Sequence, residues 1–457
     1  LLGDSAHTAH FSIGSGTKLA MEDAIALAHV FEQYDDVAAA LNEYELERRP
    51  RVEALQEAAH ESRIYFENIA RTLHLEPPQF TFHLMSRSGR ITYDNLRQRD
   101  PYFVEAVDRW FSTTPLPPGE GLGKGLLIAP PPLFNPFQLR ALTLSNRVVL
   151  SPTPTYSAND GLPNEAHMSQ FNRRALSGAA LVLTEPVAVS PQGRITPGDL
   201  GMYCADHVAA WARITAFIHA NSSAKIALQL NHAGRRGSTR PRHHGLDRPL
   251  RAGNWPLHSA SPLPYAPDSQ VPQAMDRADM DKVCSDFFQA AHLAHEADFD
   301  LLQLHFGHGY LLASFISPLT NQREDEYGGS LDNRLRFPLE IFDMVRAAWP
   351  EDKPLSVALS VTDCLEGGFA LDEAVAVAGL LKAHGCDLIE VLVGQTTPSA
   401  SPTYGPGFLT PFSDWLRSKT GIATLVGGHL TTSDEVNTIL AAGRADLCLM
   451  SPFHFQD

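Results

Sequence analysis

Two regimes of hydrophobic patterning divide the chain. Over residues 1–112 apolar side chains recur at helical spacing. Leu19, Ala20, Ala24, Leu27, Ala28 and Phe31 mark a helix between Thr17 and Phe31, and a longer helical stretch runs from about Val37 to Leu73, disturbed at Pro50. Strand signals are scarce there, and a single opening strand end with a few helices leaves no sheet to pack against. Residues 113–132 are dense in proline and glycine and read as a linker. From Leu133 onward short β-branched runs alternate with helix-length segments. The spacing predicts strands at 147–150, 180–184, 225–230, 300–305, 355–360, 387–392, 423–426 and 446–450, each but the last followed by a helix. Eight such units over 133–457 predict an α/β fold, a closed (β/α)8 TIM barrel. An open doubly wound sheet would carry a glycine-rich phosphate loop after its first strand, and Arg147–Ser151 is followed by none.

Composition narrows the class. The 457 residues are 44% hydrophobic and 19% charged, which describes a folded protein with ample core. A net charge of −16 argues against a nucleic-acid or anionic-membrane binder. No apolar run reaches the ~18–20 residues of a membrane span. The five cysteines are scattered and form no CxxC pair, so neither a disulfide scaffold nor a thiolate zinc site is expected; the pattern fits a cytoplasmic protein. Leu1-Leu2-Gly3-Asp4 reads as the end of a buried strand, and Ser451–Asp457 follows an apolar run directly. The expectation is a fragment open at both ends.

In a barrel of this kind chemistry gathers at the C-terminal ends of the strands. Strand four ends in His305-Phe306-Gly307-His308-Gly309-Tyr310. Two imidazoles three residues apart can converge on one ligand atom, and a phenol two positions on can face the same space. Together they offer two donors for a developing oxyanion and one proton donor. Satisfied structural histidines are the bland alternative. A zinc site is a weaker rival, because no carboxylate or cysteine of the right spacing completes His305 and His308.

Several longer motifs share a source. Ser317-Pro318-Leu319-Thr320-Asn321-Gln322-Arg323, Asp325-Glu326-Tyr327-Gly328-Gly329-Ser330, Asn333-Arg334, Leu133-Phe134-Asn135-Pro136, Asn146-Arg147 and Gln229-Leu230-Asn231-His232-Ala233-Gly234-Arg235 together resemble the signature of the old yellow enzyme family. That family is built of FMN-bound barrels that reduce activated C=C bonds with a nicotinamide donor, NADH or NADPH. The resemblance implies that His305 and His308 hold the substrate carbonyl oxygen, that hydride passes from flavin N5 to the β-carbon, and that Tyr310 protonates the α-carbon. It also implies flavin contacts from Pro152 and Thr153 in the first loop, from Gln229 on the pyrimidine edge, and from the backbone of Gly427 and Gly428 on the phosphate. Tyr156 matches an aromatic active-site position.

Three positions depart from the family pattern. Ala358 stands where an arginine usually faces the flavin, Ser451-Pro452 where Gly-Arg is usual, and Pro154 where relatives often carry a redox-tuning cysteine. Losing the arginine costs a charge-assisted hydrogen bond, about 1.5–3 kcal/mol, and predicts weaker flavin retention. A basic run follows the third strand: Arg235, Arg236, Arg240, Arg242, Arg248 and Arg251 against one acid, Asp247. Such a loop suits the phosphates of a coenzyme A thioester or of NADPH, with Arg235 and Arg236 as substrate-binding residues. A solvated loop is the alternative.

The front segment carries a second resemblance. Gly3-Asp4-Ser5-Ala6-His7 and Gly14-Ser15-Gly16-Thr17-Lys18-Leu19-Ala20-Met21-Glu22-Asp23-Ala24 are similar to the second FAD motif of flavoprotein aromatic hydroxylases. The resemblance implies that Asp4 binds the flavin ribityl chain and that the helix start at Gly16 and Thr17 faces the ring. A hydroxylase tail ahead of an old yellow enzyme barrel resembles the bifunctional aryl-CoA hydroxylase/oxidoreductases. The implied activity is a bifunctional hydroxylase/ene-reductase acting on an aromatic acyl-CoA, with a homodimer as the expected assembly. A stand-alone NADPH-dependent enone reductase and a flavin-less scaffold barrel are the other readings.

Overall fold

The computed structural model describes residues 2–113, 129–151, 153–245 and 247–451. Most of the linker, Pro152 and Pro452 lie outside the described residues, and so does the side chain of Asp4. The chain divides into two compact units, Leu1–Trp110 and Phe111–Asp457.

The first unit is helical, built on helices Gly16–Gln33 and Val37–Glu67 and followed by Pro77–Met85, Tyr93–Arg99 and Pro101–Thr113. Leu19, Val52 and Leu55 form a small core with Ala9 and Ile13 against it. A buried charge cluster joins the first two helices. Asp23 is fully buried, accepts from Arg48 Nε at 2.8 Å, and lies 2.6 Å from His7 Nε2. Two hydrogen-bonded partners hold this carboxylate in its charged form and keep its pKa below the ordinary value despite burial. Pro50, where the sequence led us to expect a disturbance, lies inside the continuous span Val37–Glu67. The Arg48–Asp23 pair beside it and the Arg49 bridges to Glu45 and Glu53 hold the turns on either side.

The second unit is the predicted barrel. Its eight parallel strands are Val148–Leu150, Leu181–Leu183, Lys225–Asn231, Leu301–Phe306, Leu355–Ser360, Leu388–Leu392, Ala423–Val426 and Leu447–Met450, and they are numbered one to eight here. Each pairs with the next, and strand eight returns to strand one through Cys448↔Val148, which closes the cylinder. The intervening helices bury Trp211, Phe287, Phe337 and Phe342 against the outside of the strands.

Alternate residues of each strand point inward. At the lower end the interior is apolar: Val149, Leu181, Leu301, Leu388, Leu425 and Leu447 pack there with Leu139, Leu142 and Leu144 of a hairpin (Phe137–Leu139 and Leu142–Leu144) that closes the floor. Moving up by two, the inner face turns polar. Strand three runs Ala227, Gln229, Asn231; strand four Leu301, Gln303, His305; strand five Ser356, Ala358, Ser360; strand six Leu388, Glu390, Leu392. The floor supplies cohesion, and the mouth carries the groups able to do chemistry.

Candidate active site

Strand four delivers His305 to the inner face, 4% exposed. The turn beyond it is shaped by backbone that few side chains tolerate. Gly307 has no room for a Cβ, which would sit 2.9 Å from Ser360 Oγ and 3.0 Å from Leu392 Cδ1. His308 adopts φ +56° and Gly309 φ +68°, and a Cβ at Gly309 would meet the Thr396 backbone at 2.9 Å. Two successive left-handed residues fold the chain back on itself, an arrangement costly for a non-glycine residue such as His308. The hydrogen bond from His308 N–H to Ser360 Oγ, 2.9 Å, fixes that turn. Tyr310 then starts helix Leu311–Ile316 as its N-cap residue.

The turn brings the three groups together. The His305 and His308 ring centroids are 5.2 Å apart, and the Tyr310 ring lies 5.0 Å from His305 and 6.5 Å from His308. The Gly307 N–H donates to His305 Nδ1 at 3.1 Å. With Nδ1 accepting, the neutral ring carries its proton on Nε2 and has that N–H to give. Burial holds His305 well below the usual imidazole range, with the neighbouring His308 and Arg236 acting the same way. Burial, then the charges of Arg236 and Arg242, bring His308 down to about 3. Both rings are therefore neutral donors at pH 7. Burial pushes Tyr310 up to about 12, although Arg236 pulls in the opposite direction, so the phenol keeps its proton.

Arg235 and Arg236, expected as substrate-binding residues, are both buried and engaged by the protein itself, which sets aside the solvated-loop alternative for these two. Gly234, at φ +57°, packs against Leu311, whose backbone a Cβ would meet at 2.8 Å, and this draws the following residues inward. Arg235 donates to the carbonyls of Leu263 and Thr396. Arg236 forms a two-pronged pair with Asp247 at 2.9 and 2.7 Å and donates to the His308 carbonyl at 2.5 Å. Its guanidinium also lies 5.2 Å from the Tyr310 ring centroid and 4.3 Å from that of Tyr265. Arg236 thus grips the turn that presents His308 and Tyr310. Arg242, Arg248 and Arg251 remain exposed.

The other expected site residues are dispersed. Gln229, buried, donates from Nε2 to Gln303 Oε1 at 2.5 Å. Tyr156 sits in the first loop at φ +53° with its ring 5.9 Å from that of His243. Thr153 is exposed in the same loop, and its carbonyl accepts from Gln170 at 2.8 Å. Gly427 and Gly428 follow strand seven; Gly428 has φ +93° and a Cβ there would meet the Phe408 ring at 2.9 Å. In the helical unit, Gly16 and Thr17 begin their helix after Ser15, which makes no side-chain cap, and no acid occupies the first turn.

Sequence reasoning missed Glu390, Gln303 and the clamping role of Arg236. Glu390 had a readable signal, being the one charge inside the apolar run Leu388–Leu392. Among the described residues no group of three or more His, Cys, Asp or Glu side chains is placed to hold a metal ion, and no helix is long and apolar enough to cross a membrane.

A closed parallel barrel with paired neutral histidines and a protonated phenol at one strand end can hold a carbonyl oxygen and deliver a proton beside it. The model of the NADH:flavin oxidoreductase / NADH oxidase family matches residues 132–452. The chain belongs to this family, the old yellow enzyme family of barrels. The NADPH dehydrogenase of Geobacillus sp. (strain WCH70) is 36% identical over 321 residues, which is 70% of this chain and 89% of that relative. Among solved structures, a 2-naphthoyl-CoA reductase in complex with 2-naphthoyl-CoA shares the fold at TM-score 0.64 and 23% identity over 70% of this chain, which spans only 50% of that one. Morphinone reductase matches at TM-score 0.59 and 25% identity over 70% of this chain and 86% of its own.

The family implies FMN, and the residues at the mouth fit it. The inner face offers the Gln229 and Gln303 amides, and Glu390 keeps one buried oxygen without a hydrogen-bond partner. That donor and acceptor set suits the heteroatom edge of a planar ring.

Proposed function

We propose that the barrel is an FMN-dependent ene-reductase that takes electrons from NADPH or NADH and reduces a C=C bond conjugated to a carbonyl, the substrate being an aromatic acyl-CoA. The observation that carries this reading is the convergence of His305, His308 and Tyr310, with both imidazoles held neutral and the phenol protonated. When bound, FMN supplies the hydride chemistry that no side chain can. Gln229 would hold its pyrimidine edge, Gly427 and Gly428 its phosphate, and Thr153 with Pro152 the first-loop side. His305 and His308 donate to the substrate carbonyl oxygen and stabilise the negative charge that grows there. Neutral donors do so without a counter-charge to desolvate. Tyr310 delivers its proton to the α-carbon, and Arg236 beside its ring offsets the charge left on the phenolate. Tyr156 borders the substrate.

The phosphates of the thioester would meet the exposed Arg242, Arg248 and Arg251 rather than the two buried arginines. Residues 1–112 are read as the tail of an FAD-dependent hydroxylase, with Asp4, Gly16 and Thr17 at its flavin. The uncapped start of helix Gly16–Gln33, with no acid in its first turn, supports that reading. Ala358 favours the rival of a barrel without flavin, since it offers no charge at the mouth.

Phenols titrated into the FMN-loaded protein test the proposal. A long-wavelength charge-transfer band should appear and vanish in the double variant His305→Ala/His308→Ala. An unchanged band would contradict the site. Turnover of an aryl-CoA against cyclohexenone separates the bifunctional reading from a stand-alone enone reductase.

A further inference from the structure

Glu390 is an anomaly within the barrel. It is 5% exposed, on the inner face of strand six, and its Oε2 has no hydrogen-bond partner. An ionised carboxylate in that position would be expensive. Its surroundings can be named strand by strand. Ala358 on strand five and Leu425 on strand seven stand in register with it, and Ala358 is in turn in register with His305 on strand four. Gln303 of strand four donates a hydrogen bond to the carboxyl. Gln229 of strand three donates to Gln303 in turn. Among the described residues no cation and no second carboxylate acts on Glu390.

The direction of this chain fixes the state of its last member. Gln229 gives its N–H to the Gln303 carbonyl, so Gln303 gives its own N–H to one Glu390 oxygen. The other oxygen is left to donate, if it holds a proton, or to sit as a bare buried charge. We propose that Glu390 is a flavin-binding residue that works as a neutral carboxylic acid: its Oε2–H donates to the N1/C2-carbonyl acceptor edge of the FMN ring, beside the small Ala358, and ionisation of this group weakens FMN binding. This rests on the FMN reading of the barrel and adds a pH-gated contact to it. Burial pushes the Glu390 carboxyl up to about 7, with the Gln303 hydrogen bond pulling it only part of the way back. The sign follows. The protonated form binds, so affinity is full below that value and falls as pH rises through it.

The test is FMN binding to the full-length apoprotein, read by quenching of flavin fluorescence between pH 5.5 and 8.5. The wild type should lose about tenfold in affinity across that range. Glu390→Gln keeps a donor that cannot ionise, so it should bind as tightly as the wild type at pH 5.5 and show no such loss at pH 8.5. Glu390→Ala should be pH-independent and about tenfold weaker at pH 5.5. Thermal melts of each variant identify any that is misfolded, and the isosteric Glu390→Gln keeps the test decisive if the alanine variant fails to fold. Wild-type binding that is tight and flat with pH, or a glutamine variant that keeps the wild-type slope, overturns the role of Glu390 and leaves the flavin site standing. A wild type that binds no FMN at any pH overturns both.

Discussion

The floor and the mouth of the barrel are built from the same strands, two residues apart, and they obey different rules. On the floor Leu301, Leu388 and Leu425 fill the interior against the hairpin leucines. Two positions on, strands four and six place Gln303 and Glu390 inside, and strand four then places His305. Apolar packing at one end frees the other from supplying cohesion. The mouth can therefore hold features that cost stability: an imidazole on a left-handed backbone at His308, a buried neutral histidine at His305 and a carboxyl with an unused oxygen.

Substitutions at the two ends should separate these roles. The largest effect belongs to Tyr310→Phe. Reoxidation of reduced flavin by an enone should slow by about 10²-fold or more, while phenol binding at the histidine pair persists. Stopped-flow half-reactions measure this, and an unaltered oxidative rate would remove Tyr310 as the proton donor. The floor should answer in stability instead. Leu301→Ala leaves a hole beneath strand four and should cost about 2–5 kcal/mol in denaturant unfolding, with turnover per folded molecule nearly unchanged. Lost turnover at full occupancy of the folded state would mean that the two ends are coupled.

The strands were legible because each is a short, largely apolar run set between helix-length segments, and the inner-face period of two then follows from the pleat. His305, His308 and Tyr310 were legible as a cluster at a strand end, but the left-handed turn that gathers them was not, since histidine gives no local sign of φ +56°. The clamping role of Arg236 was not legible, because charge density in a sequence carries no record of burial; Asp247 and the His308 carbonyl partner it inside. Pro50 was expected to disturb its helix, yet the span Val37–Glu67 runs on through it. Glu390 needed only the question of what a lone charge does in an apolar strand.

The central claim is that a flavin spans the mouth of this barrel. Denaturing protein purified at pH 6 and quantifying the released flavin tests it most directly. The account predicts one FMN per barrel. Protein that is colourless, and that takes up no FMN when it is added back, would contradict it.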